Sequence, residues 1–197
     1  MTRTRSMLLA AVATLLAGAC SVPTNDEPVE LSGSIVPETT TSTSTTSPET
    51  ATREAFVYFV ETSDSGTVLR RVPRTVEAGT GLQGVLSNMF NLRPREDVPL
   101  EASLSSAIPE SATLLSAAPA EDDPTVLVVD VQGLFGNEGV QGTTLRNALA
   151  QIVWTATEGD PILQVVFRQD GERRPALVDN LESTEDPVDR DDYQRNT

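Results

Sequence analysis

The chain is 197 residues long and carries a formal net charge of -15, from 29 acidic residues against 14 basic ones, with no histidine. Every basic residue is an arginine, and the lack of histidine and lysine removes the most common general base, the imidazole metal ligand, the serine–histidine–aspartate triad and the serine–lysine pair. Phosphate backbones are gripped by clustered positive charge, which this acidic chain does not supply, so no nucleic-acid partner is expected.

Arg3 and Arg5 precede an apolar run from Met7 to Ala17 that only Thr14 interrupts, and the small residues Ala17-Gly18-Ala19 close it. Residues 1–19 therefore read as a signal peptide, since the run is shorter than the roughly 20 apolar residues that span a bilayer. Cys20, the single cysteine, follows at once. Leu16-Ala17-Gly18-Ala19-Cys20 resembles a bacterial lipobox, with its leucine one position earlier than usual. The resemblance implies that the Cys20 thiol receives a diacylglycerol and becomes the first residue of the mature chain. Stable anchoring takes two acyl chains or their equivalent, which one such group provides. The expected place is the extracytoplasmic face of the cell membrane, with the membrane itself a partner through the lipid on Cys20. The competing reading is an ordinary secretory signal beside an unmodified cysteine.

Residues 20–53 form the lipidated cysteine and a tether. Thr39 to Ser47 is an unbroken Ser/Thr run, with Pro23, Pro28, Pro37 and Pro48 around it, and such a segment buries too little apolar surface to offset its ordering entropy. Residues 54–181 read as one small domain, long enough for a single core. Ala55–Val60 and Val68–Val76 are predicted strands around a Ser-Asp-Ser-Gly turn, with Pro73 favouring an edge. Thr80 and Gln83 have the spacing of a capping box, and Leu82, Val85, Leu86, Met89 and Phe90 repeat on one helical face. Strands are expected at Thr113–Ala117 and Thr125–Val131, joined by the acidic turn Glu121-Asp122-Asp123-Pro124.

Gly133, Gly136, Gly139 and Gly142 form a glycine-rich loop, read as flexible, with Leu134 or Phe135 exposed as possible partner contacts. Thr143 or Thr144 is expected to cap a second helix, whose Leu145, Ala148, Leu149, Ile152, Val153 and Ala156 form the apolar face. Gln151 lies off that face and reads as tolerant of truncation. Trp154 flanks the stripe, as a packing residue or a partner contact. Ile162–Gln169 is the last strong strand, and Asp170-Gly171 signals a hairpin into Arg173–Val178. Residues 182–197 are an acidic tail in which Tyr193 suggests partial docking. The predicted fold is α+β, with the order β-β-α-β-β-α-β and two helices packed on one sheet.

Candidate chemistry is sparse. Asp122, Asp123 and Asp130 lack the spacing of a calcium loop, and the glycines lack the Gly-Lys-Ser/Thr of a phosphate loop and the spacing of a dinucleotide fingerprint. Neither a metal nor a cofactor is expected, and no catalytic residue stands out. A carboxylate-only hydrolase is the one enzymatic reading the residue types leave open. Arg70, Arg71 and Arg74 read as a solvated strand edge, or as a contact for an acidic ligand.

Phe56-Val57-Tyr58-Phe59-Val60 with its following turn, Ala107 to Ser116, Thr125 to Val131, Ala148 to Glu158, and Val165-Val166-Phe167 running into Asp170-Gly171-Glu172 together resemble, in that order, the GerMN domain. Asp186 to Tyr193 is similar to the tail of actinobacterial lipoproteins that carry it. The resemblance implies a non-enzymatic adaptor or scaffold in an envelope complex, with an envelope protein as partner and no residue-level site to transfer. The alternative is a small-ligand or cell-wall-glycan binding module, with the cleft between the sheet and the Gly133–Gly142 loop taking the ligand.

Overall fold

A computed structural model describes residues 51–196 apart from Ser65, Asn137, Glu138 and Asp160. The expected signal peptide, Cys20 and nearly all of the expected tether lie outside the described residues. No helix among the described residues is long and apolar enough to cross a membrane.

Strands β1 (Thr52–Ser63) and β2 (Gly66–Glu77) form a hairpin paired along its whole length. Helix α1 (Gly81–Asn91) follows, then the short strand β3 (Leu104–Ser105), β4 (Thr113–Pro119), β5 (Val126–Gln132) and helix α2 (Gly142–Ala156). The chain continues through β6 (Gln164–Gln169), β7 (Glu172–Arg174), β8 (Ala176–Leu177), β9 (Ser183–Thr184) and a 3-10 segment, η1 (Asp191–Asn196). The predicted β-β-α-β-β-α-β order holds apart from β3 and the short strands after β6.

The single sheet expected from sequence is instead three: β2-β1-β3, β4-β5-β6-β7 and β8-β9. The physical reason lies at the middle of β1. Tyr58 turns its N–H and C=O away from β2, toward helix α2 rather than another strand: the N–H donates to Thr155 Oγ1 at 3.1 Å, and the C=O accepts from Gln151 Nε2 at 3.0 Å. Two side chains one turn apart on a helix thus replace a strand and end the sheet there.

The second sheet is mixed. β5 runs parallel to β6 through the α2 crossover, while β4–β5 and β6–β7 are antiparallel. The β6–β7 turn is the expected one, with Asp170 at φ 55 and Gly171 at φ 82, the two positive dihedrals of a tight hairpin turn. Val57, Phe59, Leu127, Val129, Val165 and Phe167 line the core around α2.

Helix α2 is buried nearly all round, including Gln151, which is 0% exposed. The expectation of a free face at Gln151 fails because β1 and the Ala107 segment lie against it: Gln151 Oε1 accepts the Ala107 N–H at 2.6 Å. The helix starts are also corrected. Thr80 precedes α1, but its hydroxyl donates to the Glu77 carbonyl at 2.8 Å, and Gln83 accepts from the Ala117 N–H, so no capping box forms. Gln141, rather than either threonine, precedes α2.

The acidic tail packs on the domain. Val188 exchanges two backbone hydrogen bonds with Val165, at 2.8 and 3.0 Å, and Tyr193 is fully buried.

Candidate functional site

The C-terminal end of α2 carries the most concentrated polar and aromatic grouping outside the core. Trp154, half-buried, meets the Tyr58 ring edge-on at 5.4 Å between centroids. The Arg190 guanidinium, brought in by the docked tail, lies 4.5 Å from the Trp154 ring centroid. Arg190 also donates to the Trp154 carbonyl at 3.0 Å, to Thr157 Oγ1 at 2.7 Å and to Glu158 Oε2 at 2.7 Å. From the other side Arg71 reaches Glu158 Oε1 at 2.7 Å while stacking over Phe56 at 3.3 Å. The Tyr58 hydroxyl donates to Glu158 Oε2 at 2.8 Å.

Glu158 is therefore shared by two guanidiniums and a phenol. Burial by itself pushes its carboxyl up, but the hydrogen bonds from Arg190 and Tyr58, with the nearby charge of Arg71, hold it below the ordinary carboxylate range. Burial, and then the hydrogen bond to Glu158, raise the Tyr58 phenol. A carboxylate locked in the ionised state, facing a phenol locked in the neutral state, is poorly placed to move protons near neutral pH. The arrangement can hold the tail and present a half-exposed Trp/Arg surface.

A second shared carboxylate lies on the other face of the hairpin. Glu101, 3% exposed, takes Arg74 at 2.9 and 2.6 Å and Arg95 at 3.2 and 2.8 Å, together with the Arg95 N–H at 2.9 Å. These hydrogen bonds, those from Arg74 foremost, bring its pKa down to about 2. Arg74, 6% exposed, is thus a buried ion-pair partner and not part of a solvated edge.

Leu134 and Phe135 are not exposed contacts: they are 0% and 8% exposed. The loop folds inward as a plug. Phe135 packs edge-on against Phe167 at 6.2 Å, and its N–H donates to Gln169 Oε1 at 2.8 Å. Gly133 and Gly136, at φ 72 and 89, turn the chain into and out of this plug. Both side chains belong to the hydrophobic core.

Among the described residues no cluster of three or more acidic or cysteine side chains could hold a metal ion. Asp123 caps its own turn through the Thr125 N–H and hydroxyl, and Asp130 accepts the Gly171 N–H of the β6–β7 turn. The open concavities are surface grooves. One of about 440 Å³ lies where Thr80–Gln83 meet Ala117–Pro119 and Ile162.

Of the residues singled out by sequence, the structure draws Trp154 and Arg71 into the Glu158 grouping and leaves Leu134 and Phe135 in the core. Sequence reasoning missed Tyr58, Glu158 and Arg190. The available signal was Glu158 four residues after Trp154, one turn on at the helix end.

The family described as Germane, sporulation and spore germination, matches residues 56–175. The tandem GerMN domains of the sporulation protein GerM from Bacillus subtilis superpose with a TM-score of 0.53 at 18% identity, covering 73% of this chain and 46% of that one. This chain thus spans about half the length of the tandem structure. The first GerMN domain of the same protein gives a TM-score of 0.50 at 16% identity, covering 71% of this chain and 98% of that one. No curated protein matches the chain significantly.

Proposed function

The chain belongs to the Germane family, and from that premise we propose that it is a lipid-anchored extracytoplasmic protein whose domain serves as a non-enzymatic adaptor in an envelope complex. The observation that carries this reading is the partly exposed patch of Trp154 and Arg190, backed by the buried Tyr58. Tryptophan, tyrosine and arginine are the residues that most often dominate binding energy at protein interfaces. Here Glu158 fixes Arg190 and Tyr58, which in turn pack on the Trp154 ring, so little side-chain entropy is left to lose on binding. Anchoring through Cys20, and an actinobacterial affinity for the tail, rest on the sequence.

Two experiments test this. Metabolic labelling with a fatty-acid analogue should mark the wild-type protein and not Cys20→Ser; label retained in the variant would remove the anchor. Affinity capture from detergent-solubilised membranes should recover a protein partner with the wild type and lose it with Trp154→Ala, a variant that should melt lower but remain folded by circular dichroism at the capture temperature. Hydrolysis of a cell-wall substrate, abolished by replacing one carboxylate, would overturn the adaptor role.

A ligand-binding role is the second reading, favoured by the groove between α1 and β4. Its test is calorimetry with soluble peptidoglycan fragments, in which Ala118→Asp, at an exposed position lining the groove, should remove any heat of binding.

A further inference from the structure

Strand β2 has one edge on β1 and the other facing outward, since the sheet order is β2-β1-β3. In an antiparallel pair, opposed residues alternate between exchanging hydrogen bonds and pointing their backbone groups away from each other. Tyr58 opposes Arg71 and directs its own groups to α2, so Tyr58–Arg71 is a pair of the second kind. Val60, two residues on, likewise turns away from β2 to meet β3. The same parity sends the backbone groups of Thr67, Leu69, Arg71, Pro73 and Thr75 outward.

Part of this edge is already closed. Pro73 has no N–H to offer, and the Thr75 carbonyl accepts from Asn88 Nδ2 of α1 at 3.5 Å. From Thr67 to Arg71 no outward N–H or C=O has a hydrogen-bond partner among the described residues. Natural edges of this kind are normally covered or interrupted, because they template a further strand. A groove of about 430 Å³ crosses the face of the sheet next to this edge, with Arg70–Pro73 at its β2 end and Glu61, Val98, Leu100 and Leu104 farther in. Leu100 is 88% exposed.

Charge selects the occupant. The groove carries the guanidiniums of Arg70, Arg71 and Arg95 against the carboxylates of Glu61 and Glu101, and Glu101 is already shared with the buried Arg74. Arg71 in turn shares Glu158 with Arg190. Arg70 pairs with Glu61 at 2.6 Å and Asp97 lies near Arg95, so the guanidiniums of Arg70, Arg71, Arg74, Arg95 and Arg190 outnumber the carboxylates around them by one, on a chain whose net charge is -15.

We propose that the outer edge of β2 from Thr67 to Arg71 takes an extended acidic segment of a partner protein as an added strand. The backbone ladder supplies affinity, and alternate side chains of the guest meet the arginines and Leu100. This deepens the adaptor reading and rests on it.

The test uses the full chain, isotope-labelled for amide NMR, and three capped heptapeptides: Thr-Glu-Val-Glu-Val-Glu-Thr, the same sequence with lysine for glutamate, and the acidic sequence N-methylated at its central Val-Glu pair. The acidic peptide should shift the amides of Thr67, Leu69 and Arg71 and slow their hydrogen exchange. The lysine peptide and the N-methylated peptide should each bind at least tenfold more weakly, and Arg70→Glu should weaken the acidic peptide at least fivefold. Equal binding of the N-methylated peptide, shifts confined to other surfaces, or no shift at millimolar peptide would overturn the proposal. Capture of a partner dependent on Trp154, with the β2 edge silent, would overturn it while leaving the adaptor reading intact.

Discussion

The side-chain amide of Gln151 bridges the Tyr58 carbonyl and the Ala107 N–H, at 3.0 and 2.6 Å. One glutamine thus satisfies backbone groups of two segments that no strand pairs. Leaving buried polar groups unmet costs roughly 1–3 kcal/mol each. Gln151→Ala is expected to cost about 3 kcal/mol in urea melts, comparable with the roughly 2–5 kcal/mol expected for Leu149→Ala in the packed core. A cost below about 0.5 kcal/mol, the usual size for a free surface position, would mean that α2 does not close the edge of β1.

Glu101 sets the acid limb of stability. Its folded pKa of about 2 lies below the ordinary value of 4.5, so the folded state binds that proton less readily than the unfolded state. The stabilisation is fully present above about pH 5 and is lost as pH falls toward 2, amounting to about 3 kcal/mol. Glu101→Gln should destabilise the protein near neutral pH by about 3–5 kcal/mol, because Arg74 is left buried without its counter-charge. The variant should also flatten the acid limb. Parallel acid limbs in the two proteins would assign the acid sensitivity elsewhere, with Glu158 the next candidate.

The glycine loop makes a steric prediction. A Cβ on Gly139 would fall 2.3 Å from the Leu134 carbonyl oxygen, which is main chain and cannot swing aside. Gly139→Ala should lower stability by about 2 kcal/mol or more, whereas Gly136→Ala, with open space around it, should show only the cost of its positive φ, about 1 kcal/mol. Leu134→Ala should cost about 2–5 kcal/mol as a core truncation. Thermal melts that leave Leu134→Ala unchanged would return the loop to the surface.

Arg190 joins the tail to α2. Arg190→Ala removes its contacts with Glu158, Thr157 and the Trp154 ring at one stroke. The expected result is a loss of about 1–3 kcal/mol, given that hydrogen bonds to charged groups contribute roughly 1.5–3 kcal/mol. Trp154 emission should move to the red, and limited proteolysis should begin near residue 190. Unchanged emission would separate Arg190 from Trp154 in solution.

What sequence disclosed was local. The hairpin of β1 and β2, the two helices and the Asp170-Gly171 turn are written in periodicity and turn chemistry within a few residues. What stayed hidden depends on partners far along the chain. Gln151 looks like an outward helix position until Tyr58, 93 residues earlier, is placed against it. Arg74 looks like one more strand arginine until Glu101 arrives 27 residues later. Leu134 and Phe135 read as exposed because glycines on both sides suggest flexibility, although a turn at each end also suits a short segment folded into a core. The division into separate sheets follows from the same long-range contact at Tyr58, and no local pattern encodes it.

That contact also fixes an order of events during synthesis. The β1–β2 hairpin leaves the ribosome with the Tyr58 edge open, and its closure waits for Thr155 and Gln151, 97 and 93 residues downstream. At roughly 5–20 residues per second, the nascent chain carries an uncapped, apolar strand for on the order of 5–20 s. Until those residues arrive, nothing within the chain closes the Tyr58 edge of β1 against other strands.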